Sequence, residues 1–184
     1  MSEKHKRNIT ESLSDADLHK TLLDIEGMIV SLPPKQQHIM AEWLSTWCQY
    51  INFEKTFNPQ KLKYYKRGDI VLAHFGYNTG SELGGVHYAV VIEKNNNNAN
   101  NTVVVVPISS LDNEKTKDDL HKSDVFLGTI VPGSDKVSFA KPSQIRAISK
   151  LRIIKPKTKK DGQWKLSSDK LQEIDDKIIE LLTK

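Results

Sequence analysis

The chain has 184 residues, of which 38% are hydrophobic and 27% charged, with one cysteine and a formal net charge of +4. That length gives one ordinary domain, or one domain with a helical appendage, and no apolar run is long enough to cross a bilayer, so no membrane partner is expected. Cys48 makes no internal disulfide, no CxxC pair offers zinc ligands, and the charged start MSEKHKRNITESLSD lacks the apolar stretch of a secretory signal. A cytoplasmic location is therefore the expectation.

The charge is unevenly spread. Residues 1–60 hold six Lys/Arg against eight Asp/Glu, and the remainder holds 21 against 15. A basic second part suggests an anionic partner, nucleic acid being the commonest, although solvated lysine-rich surfaces give the same modest excess.

In chain order, residues 14 to 31 space Leu18, Leu22, Leu23, Ile25, Met28, Ile29 and Val30 as a helix that Ser14 or Asp15 caps. Leu32-Pro33-Pro34 breaks it. A second helix runs from about Pro34 to Phe53, with Trp43 and Trp47 read as packing residues; together the two form an antiparallel hairpin. FEKTFNPQKLKYYKRGD has the character of a linker. Three β-branched strands follow, Asp69–Phe75, His87–Ile92 and Thr102–Ile108, then weaker ones at Val125–Ile130 and Val137–Ala140 around a turn at Pro132-Gly133-Ser134-Asp135. The EKNNNNANN connection reads either as a loop whose amides meet bases or as a plain solvated hairpin loop. The end, SSDKLQEIDDKIIELLTK, returns to helical spacing behind Ser168 or Asp169. The fold class expected is α+β: a helical hairpin (with its linker, 1–60), then a small antiparallel β-barrel with a closing C-terminal helix (61–184).

No phosphate loop, HExxH or GxSxG is present, and the six histidines are scattered, so neither a metal nor a cofactor is expected. What remains is the stretch GYNTGSELGGVHYAVVI, longer and richer in glycine than a hairpin turn needs. Hairpin pairing across residues 93–101 puts His87 and Ser109 at one end of the second and third strands. An imidazole beside a hydroxyl suits either a Ser-His nucleophile pair or metal-free RNA cleavage, in which the substrate 2′-OH attacks the adjacent phosphate and a histidine moves protons. The plain alternative is that His87 begins a strand and Ser109 ends one.

The block KRGDIVLAHFGYNTGSELGGVHYAVVIEKN, followed by NTVVVVPISS, resembles the MazF/PemK toxins of type II toxin–antitoxin systems. Those proteins open on a (K/R)RGD(I/V) strand, continue through a GSE-x-GG-x-RP loop into an apolar strand, and end a third strand in Thr or Ser. SFAKPSQIRAISKLRI (138–153) is similar to their late QIR segment, and the match covers roughly residues 64–184. The resemblance implies an SH3-like barrel, a homodimer, metal-independent cleavage of single-stranded RNA to a cyclic phosphate and a 5′-hydroxyl, and neutralisation by a cognate antitoxin. It implies His87 and Ser109 as the catalytic residues, with Glu82, Gly84, Gly85, Arg67, Ser110, Gln144 and Arg146 binding RNA or shaping the site.

His87 departs from the family, which places an arginine there, and Tyr88 replaces a proline. An imidazole clamps a phosphate less firmly than a guanidinium but transfers protons better near neutrality. The alternative function is thus a weak or inactive barrel that binds RNA or a protein. Glu82 reads either as a stabiliser of its loop through backbone amides or as a solvated acid. KLRIIKPKTKK (150–160), with six basic residues, either tracks an RNA backbone or is a solvated loop. The N-terminal hairpin lies outside the resemblance; it packs on the barrel, binds a partner, or restrains the RNA groove.

Overall fold

A computed structural model describes residues 13–111, 116–130 and 135–183 of the chain. Two helices come first, α1 (Asp15–Val30) and α2 (Pro34–Glu54). Ser14 is the N-cap of α1, its Oγ accepting the Asp17 amide at 3.1 Å, which satisfies one of the donors a helix start leaves open. Pro34 opens α2, where a missing amide hydrogen costs nothing. Gln37 donates from its side chain to the carbonyls of Val30 and Leu32 and closes the turn between the helices.

The chain divides into two compact units with the boundary between Ser45 and Thr46, inside α2. Neither helix contains a buried residue. Leu18, Leu22, Met28 and Trp47 are all about half exposed or more. Trp47, read as a packing residue, is only partly covered, at 46% exposure.

The second unit holds seven strands: β1 (Ile70–Gly76), β2 (Gly85–Val91), β3 (Thr102–Ser110), β4 (Val125–Gly128), β5 (Ser138–Ala140), β6 (Arg146–Ser149) and β7 (Ile153–Lys155). Every ladder is antiparallel, in the order β4-β5-β3-β2-β1-β7, with β6 also on β3. Strand β3 is shared: Thr102–Val105 pairs with β6, and Ile108–Ser110 pairs with β5. After β6 a single 3₁₀ turn leads into β7, which pairs with β1 on the opposite side of the β1–β2–β3 ribbon. The strands therefore enclose one core of Tyr65, Val71, Phe75, Val91, Val105 and Ile153. Among the described residues β6 and β7 do not pair with each other, and the 3₁₀ turn between them links the two sides of the sheet.

Period-two alternation sends the neighbouring residues to the other face, where Ile70, Val90, Val106 and Ile108 meet Ile174 of α3 (Ser168–Leu182), with Leu171 and Ile178 alongside. The N-cap of α3 is Ser167, whose Oγ accepts the Lys170 amide. This is one residue before the expected caps, because Ser168 already has helical geometry. The turn expected at 132–135 has Pro132, Gly133 and Ser134 outside the described residues.

The asparagine-rich connection is largely exposed, as a solvated hairpin loop would be, but it is anchored at two points. Asn96 is 1% exposed and donates to the Glu93 carboxylate and the Thr102 carbonyl. The ammonium of Lys150, also 1% exposed, caps the Asn97 carbonyl at 2.9 Å. One lysine of the basic 150–160 segment is thus committed to holding this hairpin.

Candidate active site

Strands β1 and β2 bracket the glycine-rich loop. Its last residues need glycine for two different reasons. A Cβ on Gly84 would stand 2.7 Å from the Gly76 carbonyl oxygen, and Gly85 has φ +79°, a conformation that L side chains rarely adopt. The Asn78 amide donates to the carbonyls of Phe75 (3.2 Å) and Leu83 (2.7 Å), closing the loop across its own base. From 61 residues away, Gln144 Oε1 accepts the Leu83 amide at 3.3 Å, and its Nε2 donates to the Ser81 carbonyl at 3.4 Å. The loop is a braced wall.

Below it, β2 and β3 pair in the register Tyr88↔Ile108, Ala89↔Pro107 and Val90↔Val106. One more step sets His87 opposite Ser109, and facing residues in an antiparallel pair have Cβ atoms about 4.5–5.5 Å apart. Alternation places both on the face of Ala73, Phe75 and Ala89. The His87 ring meets Phe75 edge-on, 6.4 Å between centroids. Burial lowers the His87 pKa from its ordinary value, and the charge of Lys141 works the same way; hydrogen bonds to the backbone of Ile108 and Gly84 oppose them by favouring the protonated ring. Burial is the largest of these influences, so the net direction is downward.

Two cations stand near this pair. The Arg146 guanidinium lies 5.6 Å from the Phe75 ring centre, on a residue that His87 also touches, and donates to Gln144 Oε1 at 2.8 Å. Lys141 was not found from sequence, where it reads as one basic residue among many. Its amide donates to the Pro107 carbonyl at 2.9 Å. Its ammonium sits 5.1 Å over Phe139, the register partner of Ser109, and 3.7 Å from Asp124. Ser109, Ser110, His121, Asp124, Phe139 and Lys141 line an open cleft of about 430 Å³. His121 was likewise missed, being remote in sequence; its Nδ1 lies 2.7 Å from Ser123 Oγ.

The structure thus gathers His87, Ser109, Ser110, Gly84, Gly85, Gln144 and Arg146 at one end of the barrel. Two of the proposed residues are placed differently. Arg67 grips the Asp175 carboxylate of α3 and the Ile92 carbonyl, five residues and about 16 Å along β2 from His87. Its guanidinium ties α3 to this end of the sheet, away from His87 and Ser109. Glu82 is exposed, and its side chain bonds to no other described residue; Asn78 and Gln144 brace the loop instead. Among the described residues no three His, Cys, Asp or Glu are arranged to hold a metal ion. No described helix is long and apolar enough to cross a membrane.

Three solved structures match part of the chain at low identity. An endoribonuclease in complex with its cognate antitoxin from a mycobacterial species is 14% identical, with 65% of this chain and 95% of that one covered and a TM-score of 0.45. MazF from Deinococcus radiodurans is 19% identical over 66% of this chain and 100% of its own, with a TM-score of 0.48. The MazE–MazF structure from the same organism is 20% identical over 66% and 98%, with a TM-score of 0.42. No curated protein matches the chain. The family described as PemK-like, MazF-like toxin of type II toxin–antitoxin system matches residues 66–182, nearly the whole second unit from just before β1 to the end of α3. The chain belongs to the PemK-like, MazF-like toxins of type II toxin–antitoxin systems.

Proposed function

We propose that this toxin is a metal-independent endoribonuclease that cuts single-stranded RNA at the His87–Ser109 end of the barrel. The observation that carries the reading is the β2–β3 register, whose last pair, Tyr88↔Ile108, leaves His87 and Ser109 as the next residues on the two strands, beneath the braced loop. The substrate 2′-hydroxyl attacks the adjacent phosphorus and gives its proton to His87. The P–O5′ bond breaks, the 5′-oxygen takes a proton from solvent in the open cleft, and the products are a 2′,3′-cyclic phosphate and a 5′-hydroxyl. A depressed pKa suits His87 to begin as the base. Its bonds to the backbone of Ile108 and Gly84 then favour the imidazolium that forms.

Ser109 donates a hydrogen bond to a non-bridging phosphoryl oxygen, where charge accumulates. Lys141 and Arg146 supply the lasting positive charge that an imidazole at position 87 lacks. Ser110 lies in the same cleft, and Gly84 and Gly85 let the loop backbone pass close to the chain it covers. In the cell the partners are messenger RNA, a cognate antitoxin that neutralises the toxin, and a second copy of the chain, in a cytoplasmic setting. We divide the protein at residue 60 into a helical extension and a toxin domain.

The test is cleavage of single-stranded RNA by purified protein in EDTA, with the ends identified chemically. Cyclic phosphate and 5′-hydroxyl ends are expected, and His87→Ala and Ser109→Ala should each abolish them. A second reading is favoured by one observation, the histidine at the family's arginine position: a barrel that binds RNA or a protein without cutting. It predicts salt-sensitive RNA binding by a protein that leaves every RNA intact.

A further inference from the structure

We propose that the barrel has a second docking pocket for single-stranded RNA, at the end of β2 remote from His87, formed by Lys63, Tyr64, Lys66, Lys159, Gly162 and Gln163. The proposal rests on RNA being the substrate and adds a site for chain lying well away from the scissile bond.

These six residues line a cavity of about 420 Å³. The linker before β1 and the segment after β7 form it together, joined by a bond from the Lys63 amide to the Lys157 carbonyl (2.8 Å) and one from the Tyr65 hydroxyl to the Pro156 carbonyl (2.8 Å). Its inner wall is neutral and rigid. The Lys63 side chain, 6% exposed, pairs at 2.9 Å with the buried Asp69 carboxylate, which also receives the Lys66 amide and the Gln163 side chain.

The remaining charge is positive. Lys66 and Lys159 make no ion pair among the described residues, so the pocket's own lining is cationic, although the nearby Asp161 carboxylate, held by the amides of Lys157 and Thr158, keeps its negative charge. One open aromatic ring stands beside these cations: the Lys66 ammonium lies 6.0 Å from the ring centre of Tyr64, a residue 45% exposed.

Cations that follow a backbone and open rings on which bases stack are the physical signature of a single-strand nucleic-acid surface. An acidic peptide would use the lysines, but it would leave the exposed Tyr64 ring without a stacking partner. The pocket is fixed to the barrel by the bond from the Gly68 amide to the Val91 carbonyl, and Val91 is about 13 Å along β2 from His87. RNA of several nucleotides would span that distance. Lys63 and Tyr64 precede the residues that match the toxin family, so the pocket includes a portion of this chain beyond the family region.

Ser109→Ala protein, which keeps bound RNA intact, provides the test. Binding of two RNAs is followed by fluorescence anisotropy over a range of salt: a short one covering only the scissile bond, and one extended well to either side. Adding Lys66→Ala and Lys159→Ala should lower the salt slope for the extended RNA by about 1.4, about 0.7 per lost phosphate contact, and leave the short RNA unaffected. Tyr64→Leu should weaken the extended RNA at least about fivefold by removing one stacked base. Matching thermal melts of these surface variants show that folding is intact.

Equal losses for both RNAs, or no loss for either, overturn the pocket. So does displacement of polyglutamate, with no change in RNA binding, by the same substitutions; that result assigns the lysines to an acidic protein partner. If the extended RNA is bound as described and wild-type protein never cuts it, the pocket stands and the nuclease reading fails. Cutting with no dependence on Lys66, Lys159 or Tyr64 gives the reverse.

Discussion

Gln144 Oε1 accepts the backbone amide of Leu83 at 3.3 Å, so a residue just before β6 holds the wall of the candidate active site. Its Nε2 reaches the Ser81 carbonyl, and its Oε1 also takes a bond from Arg146. Removing this side chain frees both loop contacts and one partner of the guanidinium. Gln144→Ala should destabilise the protein by only about 1–2 kcal/mol, since each partly exposed bond is worth about 1 kcal/mol or less. Hydrogen exchange across residues 76–85 should nevertheless speed up, and cleavage should fall more than stability does. Unchanged exchange at Leu83 would refute the bracing role.

The site histidine makes a prediction with a definite sign. Burial lowers the pKa of His87 below its usual 6.5, and that of His74 moves the same way through burial and the nearby Arg152 charge. As pH falls through the ordinary histidine range, the unfolded chain takes up protons that the folded chain refuses. Stability therefore declines with falling pH until the depressed folded values are reached. The urea midpoint should drop between pH 7 and about pH 5, and His87→Gln should flatten part of that drop. For a histidine acting as base, the acid limb of the cleavage rate should likewise lie below the ordinary histidine value. A limb centred above it would be incompatible with the geometry around His87.

Much of the fold was legible because its signals are local. Runs such as VLAHF, YAVVI and TVVVVPI alternate in strand fashion, and pairing across one hairpin suffices to bring His87 to Ser109. What escaped depends on contacts between distant parts of the chain. β6 and β7 have four and three residues, too few for a periodicity to emerge, and they exist because β3 and β1 offer edges. A carboxylate in the middle of the loop left Glu82 open between a brace and a solvated acid, and an amide 61 residues away braces the loop. Arg67 reads as a free cation until α3 folds back and sets Asp175 against it. Lys150 is missed because lysine is almost never buried without a partner, and its partner is a main-chain carbonyl, which leaves no trace in a sequence.

Arg67 separates docking from RNA contact. It ties the Ile92 carbonyl at the end of β2 to Asp175 in α3. Both side chains are partly open to water, so solvent screens the pair and Arg67→Ala should cost only about 1 kcal/mol. Thermal melts should show that loss, and protection of the amides around Asp175 should weaken. Anisotropy should give unchanged RNA affinity in protein that remains folded. A clear loss of affinity with an unchanged melting temperature would return Arg67 to the RNA surface.

Lys150 is the most demanding residue in the barrel. Its aliphatic stem is enclosed, and its ammonium ends on the carbonyls of Asn97 and Asn98 at 2.9 and 3.5 Å. Desolvation lowers its pKa, and the Glu93 charge offsets part of that effect. Lys150→Met keeps the stem and removes the donor, leaving the Asn97 carbonyl without that partner at a cost of about 1–3 kcal/mol. Lys150→Ala adds a cavity and should cost about 2–5 kcal/mol. Urea unfolding should rank the proteins as wild type, Met, then Ala. Because burial holds the folded pKa below the unfolded one, raising the pH through it should increase the wild-type advantage over the methionine variant: the folded chain gives up its proton before the unfolded chain does, and the neutral amine still donates a hydrogen bond without the cost of a buried charge. An advantage that stays constant to high pH would mean that burial does not disfavour the charged form of Lys150 in the folded chain.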